Sequence, residues 1–269
     1  MSKSAYLRRY NREVPADTPP ENALEASLRR DLIPLLNDLY LFGINGLRPQ
    51  NVDDDEDALI ALLLLLFSNN RGRFNPFEDT LYNYTLAGFN LGGQTALGDM
   101  NLSGLFSLSN ETLKQFIRTH AQDLLDPYGD MSLLRTTAND LAWQVVKWRR
   151  SNSDADPSLL LGALLAYTDT RVAQRADAIS EYEMVQAIQV GGVATYWRNG
   201  VSYVEFMTQR DGRVDYGDPT GPCAVLDGSI FPADRIPIHA QIPIHHKCRC
   251  RYYPVLSGWT VPETPWYGG

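Results

Sequence analysis

All three cysteines of the chain and three of its four histidines fall between Cys223 and Cys250, and this crowding constrains the fold more than any other feature. The segment opens on Cys-Ala-Val-Leu-Asp-Gly and closes on His-His-Lys-Cys-Arg-Cys. Thiolate and imidazole gathered this closely suit a tetrahedral metal such as zinc, with Cys223, His245, Cys248 and Cys250 as the natural set of four. Cys248 and Cys250 are two apart, so on an extended strand both sulfurs point to one face. The competing reading is that small buried thiols simply pack, with Leu226-Asp227-Gly228 as a turn. A C-x-x-C knuckle is missing, because Thr220 stands three positions before Cys223.

Composition narrows the classes. A chain of 269 residues can bury a sizeable core, and two domains are expected. Apolar residues make up 44% and charged residues 21%, so most of the chain should fold. A net charge of -8 argues against a general electrostatic grip on nucleic acid. An odd number of cysteines does not make a disulfide framework and suits a reducing compartment during assembly. No apolar segment follows Arg8, Arg9 and Arg12, so no secretory leader is expected. The longest apolar run, Ala58 to Phe67, has ten residues, too few to span a bilayer. It reads as a buried helix or an interface.

Residues 1–20, with Pro15, Pro19 and Pro20, read as an extended arm. From Glu21 to Tyr40 leucines recur at helical spacing, and Pro34 is expected to kink or divide that helix. The acidic run Asp53 to Asp57 is read as the cap of the next helix rather than a metal site. A polar break at 69–75 precedes a helix from Glu78 to about Leu97. Asn110 caps a further helix with His120 on its apolar stripe beside Leu113, Phe116 and Ile117, and Asp130 caps another carrying Leu134, Leu141, Val145 and Trp148. After a linker at 151–157, a short helix spans Ser158 to Ala166. A longer one runs from Asp169 to about Tyr196, interrupted or ended near Gly191-Gly192.

In that last helix Glu183 shares a stripe with Val172, Ala176 and Ile179, so its carboxylate should be partly buried and in need of donors. Backbone amides, an arginine such as Arg175 and residues of the C-terminal segment are the candidates. After Gly200 the period becomes two, and Val201 to Thr208 reads as a strand, followed by a turn at 209–212. Prolines 232, 237 and 243 make the next stretch irregular before a closing strand from Arg249 to Val255. The fold class expected is mainly α: an arm over 1–20, a helical body over 21–168, a long helix with a small α+β Cys/His module, a candidate zinc site, over 169–253, and a tail over 254–269.

Arg175-Ala176, Ile179, Glu183 and Gly191 lead in order to Tyr203-Val204-Glu205-Phe206, Thr208, Asp211, Arg213-Val214, Cys223, Leu226-Asp227-Gly228, Phe231-Pro232 and His245-x-x-Cys248-Arg249-Cys250. This ordered set resembles the head-morphogenesis, or minor head protein, family of tailed bacteriophages, to which the F protein of phage Mu belongs. The resemblance spans about Phe77 to Tyr253, its earlier part in helical layout only. Thr220 replaces the first cysteine of the usual C-x-x-C, and His246 replaces the proline that commonly follows the histidine. His246 is thereby an alternative ligand.

The resemblance implies a structural capsid protein of the virion head, assembled in the host cytoplasm. It would touch the portal protein, the major capsid protein or both, meet packaged DNA only indirectly, and act in head assembly and DNA packaging or delivery. It implies no catalytic residues. Glu183, Arg175, Asp211, Asp227 and Gly228 carry structural roles in this reading, and Trp259, Trp266 and Tyr267 in the tail are candidate partner contacts. The competing class is a mono-ADP-ribosyltransferase-like or toxin-like enzyme built on Glu181 and Glu183 with an arginine such as Arg175; those glutamates fall in a strongly helical stretch. A zinc-dependent DNA-binding module fails on charge, since Lys247, Arg249 and Arg251 are too few for a basic face.

Overall fold

Helix-forming stretches punctuated by side-chain caps dominate the chain, and in a computed structural model they become seven α-helices among the described residues, which are 19–47, 55–104, 106, 111–129, 132–208, 222–245 and 248–256. In order these are α1 (Pro19–Gly46), α2 (Glu56–Asn69), a 3-10 turn (Arg71–Phe74), α3 (Asn75–Asp99), α4 (Glu111–Asp123), α5 (Leu133–Ser151) and α6 (Ser158–Arg198). Then come β1 (Tyr203–Met207), α7 (Pro222–Leu226), β2 (Ile230–Pro232), a 3-10 turn (Ile238–Ala240) and β3 (Arg251–Pro254). Asn110, Asp130, Asp211, His246, Trp259, Trp266, Tyr267 and nearly all of the arm lie outside the described residues.

The chain divides into two compact units, each discontinuous in sequence: Ala26–Leu86 with Leu108–Ser180, and Met1–Glu25 with Ala87–Ser107 and Glu181–Gly269. A boundary at 168/169 would fall inside α6, because the two helices read there are one of 41 residues. No glycine or proline between Gly162 and Gly191 breaks the hydrogen-bond ladder.

In the first unit Asp55 caps α2, its Oδ1 accepting from the amides of Asp57 at 3.0 Å and Ala58 at 3.3 Å. The apolar run behind this cap buries one side only: Leu59, Leu63 and Phe67 are inside, whereas Leu62 and Leu65 are exposed. Phe67 and Phe74 meet edge-on at 5.9 Å. Pro34 is accommodated within α1, which is not divided there, and Leu32 and Leu36 on either side of it are fully buried. The cap of α5 is Ser132, whose Oγ accepts from the Arg135 amide at 3.0 Å. On α4 the stripe is narrower than its spacing suggested: Ile117 and Ala121 are buried, Phe116 is exposed and His120 is half-buried.

Arg175 belongs to this unit and not to Glu183. Its buried guanidinium donates to Tyr40 Oη at 3.0 Å, Thr137 Oγ1 at 2.6 Å, the Leu133 carbonyl at 3.4 Å and Thr136 Oγ1. Asp140 lies 3.8 Å away and itself accepts from Tyr40 Oη at 2.7 Å and Arg171 Nε at 2.9 Å. A buried cation is tolerated only when its donors are satisfied, and α1 and α5 supply acceptors that a single glutamate could not.

In the second unit α3 and α6 cross backbone to backbone. A Cβ on Gly92 would stand 1.9 Å from the Ile188 carbonyl oxygen, and one on Gly191 would stand 2.1 Å from that of Phe89. Gly191 therefore does not end the helix; it lets a neighbour approach. Beyond α6 an antiparallel sheet in the order β2-β1-β3 pairs Val204 with Phe231 and Phe206 with Tyr252. These four share one core with Tyr196, Val201, Ala240, Ile242 and all three cysteines.

Candidate metal centre

Cys223 sits in the first turn of α7, and a small set of polar contacts fixes that helix to the end of β1. Asp227 Oδ1 accepts from the Thr208 amide at 2.8 Å, and the Gly228 amide donates to the Phe206 carbonyl at 2.8 Å. Gly228 has a φ of 78°, a conformation that costs glycine little and side-chain-bearing residues more. On the other side, the Cys248 amide donates to the His245 carbonyl at 3.1 Å, which holds these two residues side by side.

These two pieces bring Cys223 Sγ to 3.9 Å from Cys248 Sγ and 3.0 Å from His245 Nε2, and the three ligand atoms all lie within 4.8 Å of one another. Tetrahedral zinc with sulfur at about 2.3 Å and nitrogen at about 2.0 Å separates two sulfurs by about 3.8 Å and sulfur from nitrogen by about 3.5 Å. The donor chemistry and the spacing therefore fit a divalent ion of that kind. Cys223, Cys248 and Cys250 are buried and free of disulfides, and His245 is half-buried.

Cys250 stands beside this group of three. The Cys248 thiol is held well below its ordinary value because Cys223 and Cys250 hydrogen-bond to its sulfur. Cys250 is pushed up by the same two neighbours and by burial, and Cys223 is raised chiefly by its bond to Cys248.

Glu183 is buried, as its stripe required, and so are Glu181 and Glu205. Glu181 lies 3.6 Å from the Arg249 guanidinium, which also binds Glu25 at 2.7 Å; Arg251 binds Glu21 at 2.5 Å. Sequence reasoning missed these arginine pairs. Their signal was the alternation Cys248-Arg249-Cys250-Arg251, with sulfurs on one face and guanidinium groups on the other, together with Glu21 and Glu25 one helical turn apart.

No described helix is long and apolar enough to cross a membrane. Comparison of the chain with protein-family models, with curated proteins and with solved structures found no match.

Proposed function

We propose that this chain is a structural minor head protein of a tailed bacteriophage, docked on the portal or the inner capsid surface and acting in head assembly and DNA packaging or delivery. One observation carries the reading. Separated pieces of the family-like pattern meet in one small module: Tyr203-Val204-Glu205-Phe206 and Phe231-Pro232 pair in its sheet, Leu226-Asp227-Gly228 closes the helix beside it, and His245-x-x-Cys248-x-Cys250 supplies the Cys/His centre against the same core. Segments distant in sequence that share one module support a common structural purpose. In this reading zinc, held by Cys223, His245 and Cys248 with Cys250 as the described candidate to complete the set, supplies a cross-link in a module whose described residues form three short strands.

The transferase-like alternative draws little from the geometry. Glu181 and Glu183 lie inside the continuous helix α6, and Glu181 is engaged by Arg249, which leaves it poorly placed to meet a nicotinamide cofactor. Consumption of NAD by the purified chain, lost on Glu183→Gln, would overturn the structural reading in favour of that enzyme. The direct test is mass spectrometry of purified DNA-filled particles. Peptides of this chain at a few copies per head are expected; particles that lack it would refute the proposal.

A further inference from the structure

The side chains from Cys248 to Pro254 alternate between buried and half-buried positions. Cys248, Cys250 and Tyr252 turn into the core, and Arg249 and Arg251 turn the other way, onto Glu25 and Glu21 in the first turns of α1. The arginines are 13% and 15% exposed and their glutamates 22% and 15%, so these are partly desolvated, charge-assisted bonds and not solvated surface pairs. Glu181 of α6 adds a third carboxylate to the seam.

Arg249 lies within the ligand segment, and Arg251 is the first strand-paired residue after it. Strand pairing reaches back only to Arg251, opposite Met207. From Tyr252 onward the chain is also tied to α6, where Gln189 Oε1 accepts from the Tyr252 amide at 3.2 Å. Residues 248–250 carry no strand pairing, and their path is set by the His245–Cys248 hydrogen bond and by the burial of the two sulfurs.

We propose that the Cys/His centre and the N-terminal end of α1 form one conformational device. A divalent metal on Cys223, His245 and Cys248 fixes residues 248–251 so that Arg249 and Arg251 hold Glu25 and Glu21; loss of the metal loosens the segment and releases the start of α1. This rests on the zinc reading above and adds a consequence for a helix that contributes no ligand. The same arginines that flank the ligands serve as the latch.

Hydrogen exchange on the full chain tests it, with zinc content measured by elemental analysis on the same samples before and after chelation. Amides of residues 23–30 are expected to exchange about tenfold faster once zinc is removed. A Glu21→Gln/Glu25→Gln variant, altered away from every ligand, should keep its zinc and exchange at the fast rate in both states. Zinc that is demonstrably bound and removed with no change at residues 23–30 overturns the latch and leaves the metal centre standing. A variant that still responds to zinc as the unaltered chain does also overturns it. A chain that holds no zinc overturns the latch and the metal reading together.

Discussion

Gly92 and Gly191 have no room for a methyl group. Each faces a carbonyl oxygen of the opposite helix at about 2 Å from where a Cβ would stand, so Gly92→Ala or Gly191→Ala must push α3 and α6 apart, at a cost of about 2–3 kcal/mol or more. Gly162 in the same α6 opens onto empty space, and Gly162→Ala should stabilise by about 0.5–1 kcal/mol through helix propensity alone. Denaturant unfolding of the three variants, read as midpoint shifts of opposite sign, checks the contrast. Asp31 offers a second residue-level test. Tyr84 Oη donates to its Oδ2 at 2.6 Å, and that bond, followed by Arg30, holds its carboxyl below the usual range. A depressed carboxylate stabilises the fold above its unfolded value near 3.9 and loses that contribution as pH falls through the folded value. Tyr84→Phe should therefore move the Asp31 titration upward, toward the unfolded value, as followed by NMR; an unmoved titration would contradict the assignment.

Caps and periodicity made several elements readable in advance, and packing decided the rest. The acidic run before Ala58 proved to hold the cap of α2 in Asp55, and Asp55→Ala should cost about 1 kcal/mol in thermal or denaturant unfolding. The strand at 203–207 and the turn at Asp227-Gly228 were likewise legible, because alternation and turn chemistry are local signals. Removal of the Asp227 carboxylate leaves the Thr208 amide without the acceptor that joins α7 to β1. Asp227→Ala is expected to cost about 1–3 kcal/mol and to loosen Cys223, with thiol reactivity toward a maleimide as the sensitive readout. What could not be read locally was the meaning of Gly191-Gly192. Two glycines in sequence look like a helix end, and only the approach of α3 reveals them as a crossing. Arg175 misled for a related reason. It was a candidate donor for Glu183 on the same helix, but the acceptors that satisfy it come from α1 and α5, far away in sequence.

Across the whole molecule, the mainly α character and the convergence of Cys223, His245 and Cys248 were visible from composition and spacing, whereas the interleaved make-up of the two units was not, since α1, α3 and α6 each contribute to both. Phe231, Ala240, Ile242 and the cysteines pack with Val204, Phe206 and Tyr252, so a metal would lock a core that already exists rather than substitute for one. Such a centre should still contribute measurably, because a ligand present at a thousand times its dissociation constant stabilises by about 4 kcal/mol. Zinc determination on protein purified without chelator tests the central claim most directly. About one zinc per chain is expected, lost in Cys248→Ser and Cys223→Ser, with a lower unfolding midpoint after chelation. Protein that carries no zinc, takes up none when it is offered, and unfolds identically with and without chelator would contradict it.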